Sequence, residues 1–119
     1  MLNLDTHLIV FFLNGTCTAR EYELISKQEV SISSIVLWEL AKLTTLGRVS
    51  LDLELPEFRG FLRQMTIIPI SLDIAITSTL LDFSSDPADE IIAATSVVER
   101  IPLLTRDRRM LRSRVIPLA

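Results

Sequence analysis

Several residue types that build functional sites are nearly missing from this sequence. A single cysteine, Cys17, excludes an internal disulfide and any Cys-x-x-Cys metal spacing, and the thiol is expected to be packed or indifferent. The single histidine, His7, is the one imidazole available for proton transfer, but its apolar surroundings (Leu8, Ile9) favour a packed side chain over a general base. Lysine occurs only at Lys27 and Lys42, both in helical segments. A Mg²⁺-binding acidic signalling domain of the phosphoacceptor kind needs a late lysine at a strand end, so that class fits poorly. The longest apolar run, Leu8 to Leu13, is far short of the ~20 residues that cross a bilayer. Asp5 and His7 precede it and no basic leader does, so the chain is expected to be cytoplasmic, without a membrane segment. No internal repeat, low-complexity tract or linker interrupts it.

The chain does have apolar residues in excess. It is 49% hydrophobic over 119 residues, enough for one domain, 1–119, with a real core. Its mean hydropathy of +0.41 requires apolar side chains buried on both faces of a sheet or in an interface. The net charge of −3 argues against general nucleic-acid affinity. The basic residues are unevenly placed, however: Arg100, Arg106, Arg108, Arg109, Arg112 and Arg114 crowd the last fifth of the chain. Such a face can hold a phosphate backbone or an acidic partner segment, or be a solvated helix surface.

Residue periodicity alternates between strand and helix. Short strands are expected at Asn3–Leu4, Val30–Ser33, Thr66–Ile70, Leu103–Thr105 and Val115–Leu118. Helices are expected at Leu8–Leu13, at Thr18–Lys27 with Thr16 or Thr18 as cap, and from Ile35 to a stop at Gly47. Further helices start at Pro56, run over Leu72–Leu81, occupy Asp86–Val98 with Asp86 as N-cap and Pro87 first in the helix, and cover Arg108–Arg112. This alternation predicts an α/β fold with a mainly parallel central sheet and helices on both faces.

Against that frame, acids recur just after apolar, strand-like runs. Asp5 follows Leu2-Asn3-Leu4, Glu39 comes shortly after Val30 to Ile35, Asp89 opens a helix, and Asp107 follows Leu103-Leu104-Thr105. In a parallel α/β sheet such positions line one crevice, and carboxylates gathered there without counter-charges repel one another unless a divalent cation joins them. Each acid also has a structural explanation. Asp5 can cap the next helix, Asp86 can cap its own, and Asp89 suits the positive end of a helix. Glu39 is hardest to explain this way, because Leu37, Trp38, Leu40 and Ala41 surround it. Asp52, Glu54, Glu57, Asp73 and Asp82 fall beside turns or on polar faces and are expected to be solvated.

Four segments together resemble a known family. Leu4-Asp5-Thr6-His7, the Ile32 to Leu40 segment with its Trp38-Glu39, Asp86-Pro87-Ala88-Asp89 with its following Ile92-Ala93-Ala94-Thr95, and Leu104-Thr105-Arg106-Asp107 are similar, in order, to motifs of PIN-domain proteins, in particular the VapC-type toxins. The resemblance implies a PIN-like three-layer α/β/α fold and a Mg²⁺- or Mn²⁺-dependent ribonuclease of a toxin–antitoxin pair. It implies that Asp5, Glu39, Asp89 and Asp107 are catalytic, metal-holding acids, with Thr6 and Thr105 supporting them. Arg106, Arg108 and Arg109 are then candidates for the RNA backbone. The implied partners are RNA, a VapB-like antitoxin and a second copy of the chain, for which the apolar surplus and Trp38 offer an interface. A PIN-like binding scaffold without activity is the alternative. Glu90 departs from the family pattern, which has Arg at that position in many members.

Overall fold

In β1 (Leu2–Leu4) and β2 (Val30–Ser33) every residue is buried. Successive strand residues point to opposite faces, so burial without alternation means the sheet is covered on both sides. The computed structural model, which describes residues 1–119, supplies that cover with helix pairs between the strands. α1 (Thr6–Leu13) and α2 (Ala19–Ser26) connect β1 to β2, and α3 (Ile35–Thr45) and α4 (Pro56–Arg63) connect β2 to β3 (Thr66–Ile68). α5 (Leu72–Ser78) and α6 (Pro87–Glu99) lead to β4 (Leu103–Leu104), and α7 (Arg108–Leu111) follows. The four strands are all parallel, in the order β3-β2-β1-β4. The expected α/β architecture is therefore the observed one.

Strand succession steps outward from β1 through β2 to β3 and then returns to the other side of β1. The order reverses between β1 and β4, which pair through Asn3 with Leu103 and Leu4 with Leu104. In an open parallel sheet a crevice opens at such a reversal, beyond the carboxyl ends of the strands. The main core beneath it includes Leu2, Leu4, Leu8, Ile9, Ile32, Leu40 and Ile92, all at most 1% exposed. A smaller cluster, Ile68, Ile74 and Ala94, lies where β3, α5 and α6 meet.

Several element ends differ from the sequence expectation, each for a local reason. The strand expected at Val115–Leu118 is reduced to one parallel bridge, Leu103 to Leu118. Pro117 has no N–H to donate, and Asp82 holds the preceding turn by accepting from Ser113 Oγ at 2.7 Å and Arg114 N at 2.8 Å. β3 stops at Ile68 because Pro69 follows. α5 stops at Ser78, where the hydroxyls of Ser78 and Thr79 donate to the carbonyls of Ala75 and Ile76. α1 starts two residues early, with Asp5 Oδ1 accepting from Thr6 N at 2.8 Å. Thr18, not Thr16, caps α2, in a reciprocal capping box with Glu21.

Candidate functional site

The crevice is built outward from β1. Asp5, the residue after that strand, is 4% exposed and donates its backbone N–H to Leu104 O across the β1–β4 junction. Its side chain is held at both oxygens: Oδ1 by Thr6 N, and Oδ2 by the Thr105 hydroxyl at 2.7 Å. Thr6, one residue on, turns its own hydroxyl to donate to Glu39 Oε1 on α3. Asp89 enters from the first turn of α6, where Ser85 Oγ donates to its Oδ2 at 2.9 Å. Ligand atoms of Asp5, Glu39 and Asp89 all lie within 4.8 Å of one another. Residues 84 or fewer positions apart along the chain, on three different elements, thus converge on one point.

The electrostatics of this trio are unfavourable without a cation. Burial pushes the Asp5 carboxyl above its ordinary range, against the opposing hydrogen bonds from Thr105 and Thr6. Asp89 is pushed up to about 6, first by burial and then by the charges of Asp5, Glu39 and Asp107, despite the Ser85 hydrogen bond. None of the three acids is in an ion pair; the ion pairs of the chain are Lys27–Glu23 and Arg106–Glu21. The donor set is all carboxylate oxygen, which suits a hard divalent cation such as Mg²⁺ or Mn²⁺.

Asp107 lies outside the tight trio but borders the same hollow of about 250 Å³, together with Asp5, His7, Phe11, Asp89 and Arg106. It has a structural task too: its Oδ1 accepts from Arg109 N and Met110 N at the start of α7, and its N–H donates to Thr105 Oγ1 at 3.0 Å. Thr105 thereby ties two of the expected acids together.

Other expected positions turn out differently. His7 is exposed, not packed: on α1 it alone among Thr6 to Val10 faces outward, four residues from Phe11 and beside the carboxylates. Asp86 occupies the N-cap position of α6 but makes no capping hydrogen bond with its exposed side chain, so Pro87 sets the helix start. Arg106 borders the hollow, yet its guanidinium binds both oxygens of Glu21 at 2.8 and 2.6 Å, donates to Thr16 O and stacks 3.9 Å over Phe11. Arg109 donates to Ser84 O at 3.3 Å, and Arg108 is exposed on α7. Glu90 has a local role, accepting from Ser85 N at 3.4 Å in the loop that carries the Asp89 partner.

Two contributors were not found in the sequence. Ser85 reads there only as a turn residue. Glu21 shows only as the far half of a Thr18-x-x-Glu21 capping box, because its partner Arg106 lies 85 positions away.

The whole arrangement has relatives. A PIN domain family model matches residues 3–115. No curated protein matches the sequence. Among solved structures, a chain of a toxin–antitoxin complex from Klebsiella pneumoniae superposes with a TM-score of 0.72 and 22% identity, covering 94% of this chain and 91% of that one. A chain of DNA-bound VapBC from Salmonella typhimurium gives 0.74 and 22%, covering 99% and 96%. A chain of VapBC2 from Rickettsia felis, bound to a promoter DNA fragment, gives 0.72 and 20%, covering 100% and 98%. At these identities the structural likeness speaks for the fold.

Proposed function

Because this chain belongs to the PIN domain family, whose members are generally nucleases, we propose that it is a Mg²⁺- or Mn²⁺-dependent endoribonuclease of the VapC type that acts in the cytoplasm as the toxin of a toxin–antitoxin pair. The observation that carries this reading is the convergence of Asp5, Glu39 and Asp89 within 4.8 Å, none of them in an ion pair, at the β1–β4 reversal. Asp5, Glu39 and Asp89 would hold such a cation. When bound, it supplies Lewis acidity, making a water more acidic and neutralising charge on the phosphodiester oxygens. Thr105 and Thr6 fix the orientation of the Asp5 and Glu39 carboxylates by hydrogen bonds. Asp107, on the rim, completes the shell or orients the attacking water. In such a hydrolysis the water oxygen bonds to phosphorus, one backbone P–O bond breaks, and a proton from the water passes to the departing ribose oxygen.

The partners follow from the same reading. The neighbours that are toxin–antitoxin complexes support a VapB-like antitoxin as the restraining partner. Pairing with a second copy accounts for the apolar side chains left outside along α5 and just past it, where Leu72 is 75%, Ile76 49% and Leu80 74% exposed.

The test is direct. Partner-free protein incubated with a mixed RNA pool in Mg²⁺ or Mn²⁺ is expected to cleave it, and both a chelator and Asp89→Ala are expected to abolish cleavage. Cleavage that survives Asp89→Ala contradicts the assignment. RNA left intact by the wild type in every metal favours the inactive scaffold.

A further inference from the structure

A larger cleft, of about 630 Å³, adjoins the carboxylates and has Glu39 and Asp89 on its rim. Its wall along α3 carries Trp38, Lys42 and, beyond the helix, Arg48. Trp38 is 54% exposed although it is the only tryptophan of the chain, and one of the two lysines stands one helical turn later. The Lys42 ammonium lies 5.8 Å from the indole centroid, and both basic side chains are exposed. A half-exposed indole costs solvation free energy that a flat partner would recover. The cleft thus carries both signs of charge, the acids Glu39, Asp86 and Asp89 and the basic Lys42 and Arg48, around a lining that is half apolar.

We propose that Trp38, Lys42 and Arg48 form a subsite for an unpaired nucleotide flanking the scissile phosphate, with its base stacked on the indole and its phosphate on the two basic side chains. This rests on the ribonuclease reading and adds to it the residues that seat an unpaired nucleotide beside the carboxylates. Every base has a π-face, so such a platform binds with little sequence preference. A base inside an A-form duplex is already stacked on its neighbours and cannot use it. Lys42 gives up an exposed cation–π contact, which is weaker than base stacking, and gains a phosphate. The occupant is RNA and not a protein segment, because an exposed aromatic face with Lys42 over it and Arg48 lining the same cleft matches base and phosphate together.

Trp38, as the sole tryptophan, reports its own occupancy. Wild-type protein at low salt with a chelator present, so that no cleavage occurs, is titrated with random-sequence RNA hexanucleotides. Saturable quenching of indole emission is expected, with much weaker quenching by a duplex of the same length or by an abasic oligomer. With dye-labelled RNA, Trp38→Ala is expected to weaken binding about 5- to 140-fold and Trp38→Phe much less. Lys42→Ala and Arg48→Ala are each expected to reduce the slope of log affinity against log salt by about 1. RNA that binds Trp38→Ala as tightly as wild type, or duplex that quenches as well as single strand, overturns the proposal. Quenching by an antitoxin-derived peptide with none by RNA overturns it too, and gives the cleft to a protein partner. The two failures are distinguishable: cleavage in Mg²⁺ with unchanged Trp38→Ala binding sinks only the subsite, whereas specific quenching without cleavage sinks the nuclease and leaves Trp38 in an RNA-binding site with no scissile phosphate.

Discussion

Arg106 shows how a residue next to a site can serve it without touching substrate. Its guanidinium is spent on Glu21, whose side chain is 8% exposed, and on the face of Phe11. The pair anchors the backbone between Thr105, which holds Asp5, and Asp107. The Arg106 hydrogen bonds, helped by those from Thr18, hold the Glu21 carboxyl at about 2, below its ordinary 4.5. A lowered carboxylate contributes stability that is complete above about pH 4.5 and is lost as pH falls through 2. The arginine side chain is 41% exposed, so solvent screens part of that effect. Arg106→Ala is therefore expected to lower unfolding free energy at pH 7 by ~1–2 kcal/mol, and urea titrations should show the gap to wild type narrowing below about pH 4.5. At this scale the sequence was legible where chemistry is local. Asp5-Thr6 and Thr105-Arg106-Asp107 announced the carboxylates and their hydroxyl partners. It was opaque where partners meet only in the fold, as Arg106 with Glu21 and Asp89 with Ser85 do.

Element boundaries followed punctuation that the sequence carries. Pro69 ended β3, Pro87 began α6, and Gly15 and Gly47 take left-handed conformations just past α1 and α3. The end of α6 lacks such a residue. Arg100 closes that helix with φ 56° and ψ 44°, the one non-glycine of the chain at positive φ, while Ile101 N donates to Ser96 O. An L side chain in that region costs ~1–2 kcal/mol, and glycine removes most of this against its own unfolded-state entropy. Arg100→Gly is expected to stabilise the fold by ~0.5–1 kcal/mol, seen as a higher Tm, with RNA cleavage unchanged since Arg100 borders neither cleft. Unchanged or lower stability contradicts this account of the helix end. The buried polar link between elements also left no trace in the sequence: Asn3 Nδ2 donates to Ser96 Oγ at 2.9 Å, and Ser31 Oγ donates to Asn3 Oδ1 at 3.3 Å. It ties β1, β2 and α6 beneath the carboxylates. Nothing in the local pattern distinguishes these three polar residues from exposed ones.

For the whole molecule, strand order is what turns scattered acids into one cluster. β1 lies between β2 and β4, so the residue after it faces both the α3 helix that follows β2 and the loop that follows β4. Alternating strands and helices revealed the fold class, and acids after the first and last apolar runs, Asp5 and Asp107, pointed to the crevice. The exposure of His7 was missed because its apolar neighbours in sequence point the other way around the helix. Gathering acids here carries a cost in the metal-free protein. Because Asp89 is raised to about 6, its ionisation weakens the fold as pH rises from about 4 through 6, and a bound cation offsets that loss. The most direct test is a calorimetric Mn²⁺ titration of wild type and Asp89→Asn at pH 7.5 and pH 5. Saturable Mn²⁺ binding is expected in the wild type at pH 7.5 and weaker binding at pH 5, where Asp89 holds its proton, with a loss of about tenfold or more in Asp89→Asn at pH 7.5. Mn²⁺ affinity that is absent in the wild type at pH 7.5, or that Asp89→Asn leaves unchanged, contradicts that expectation.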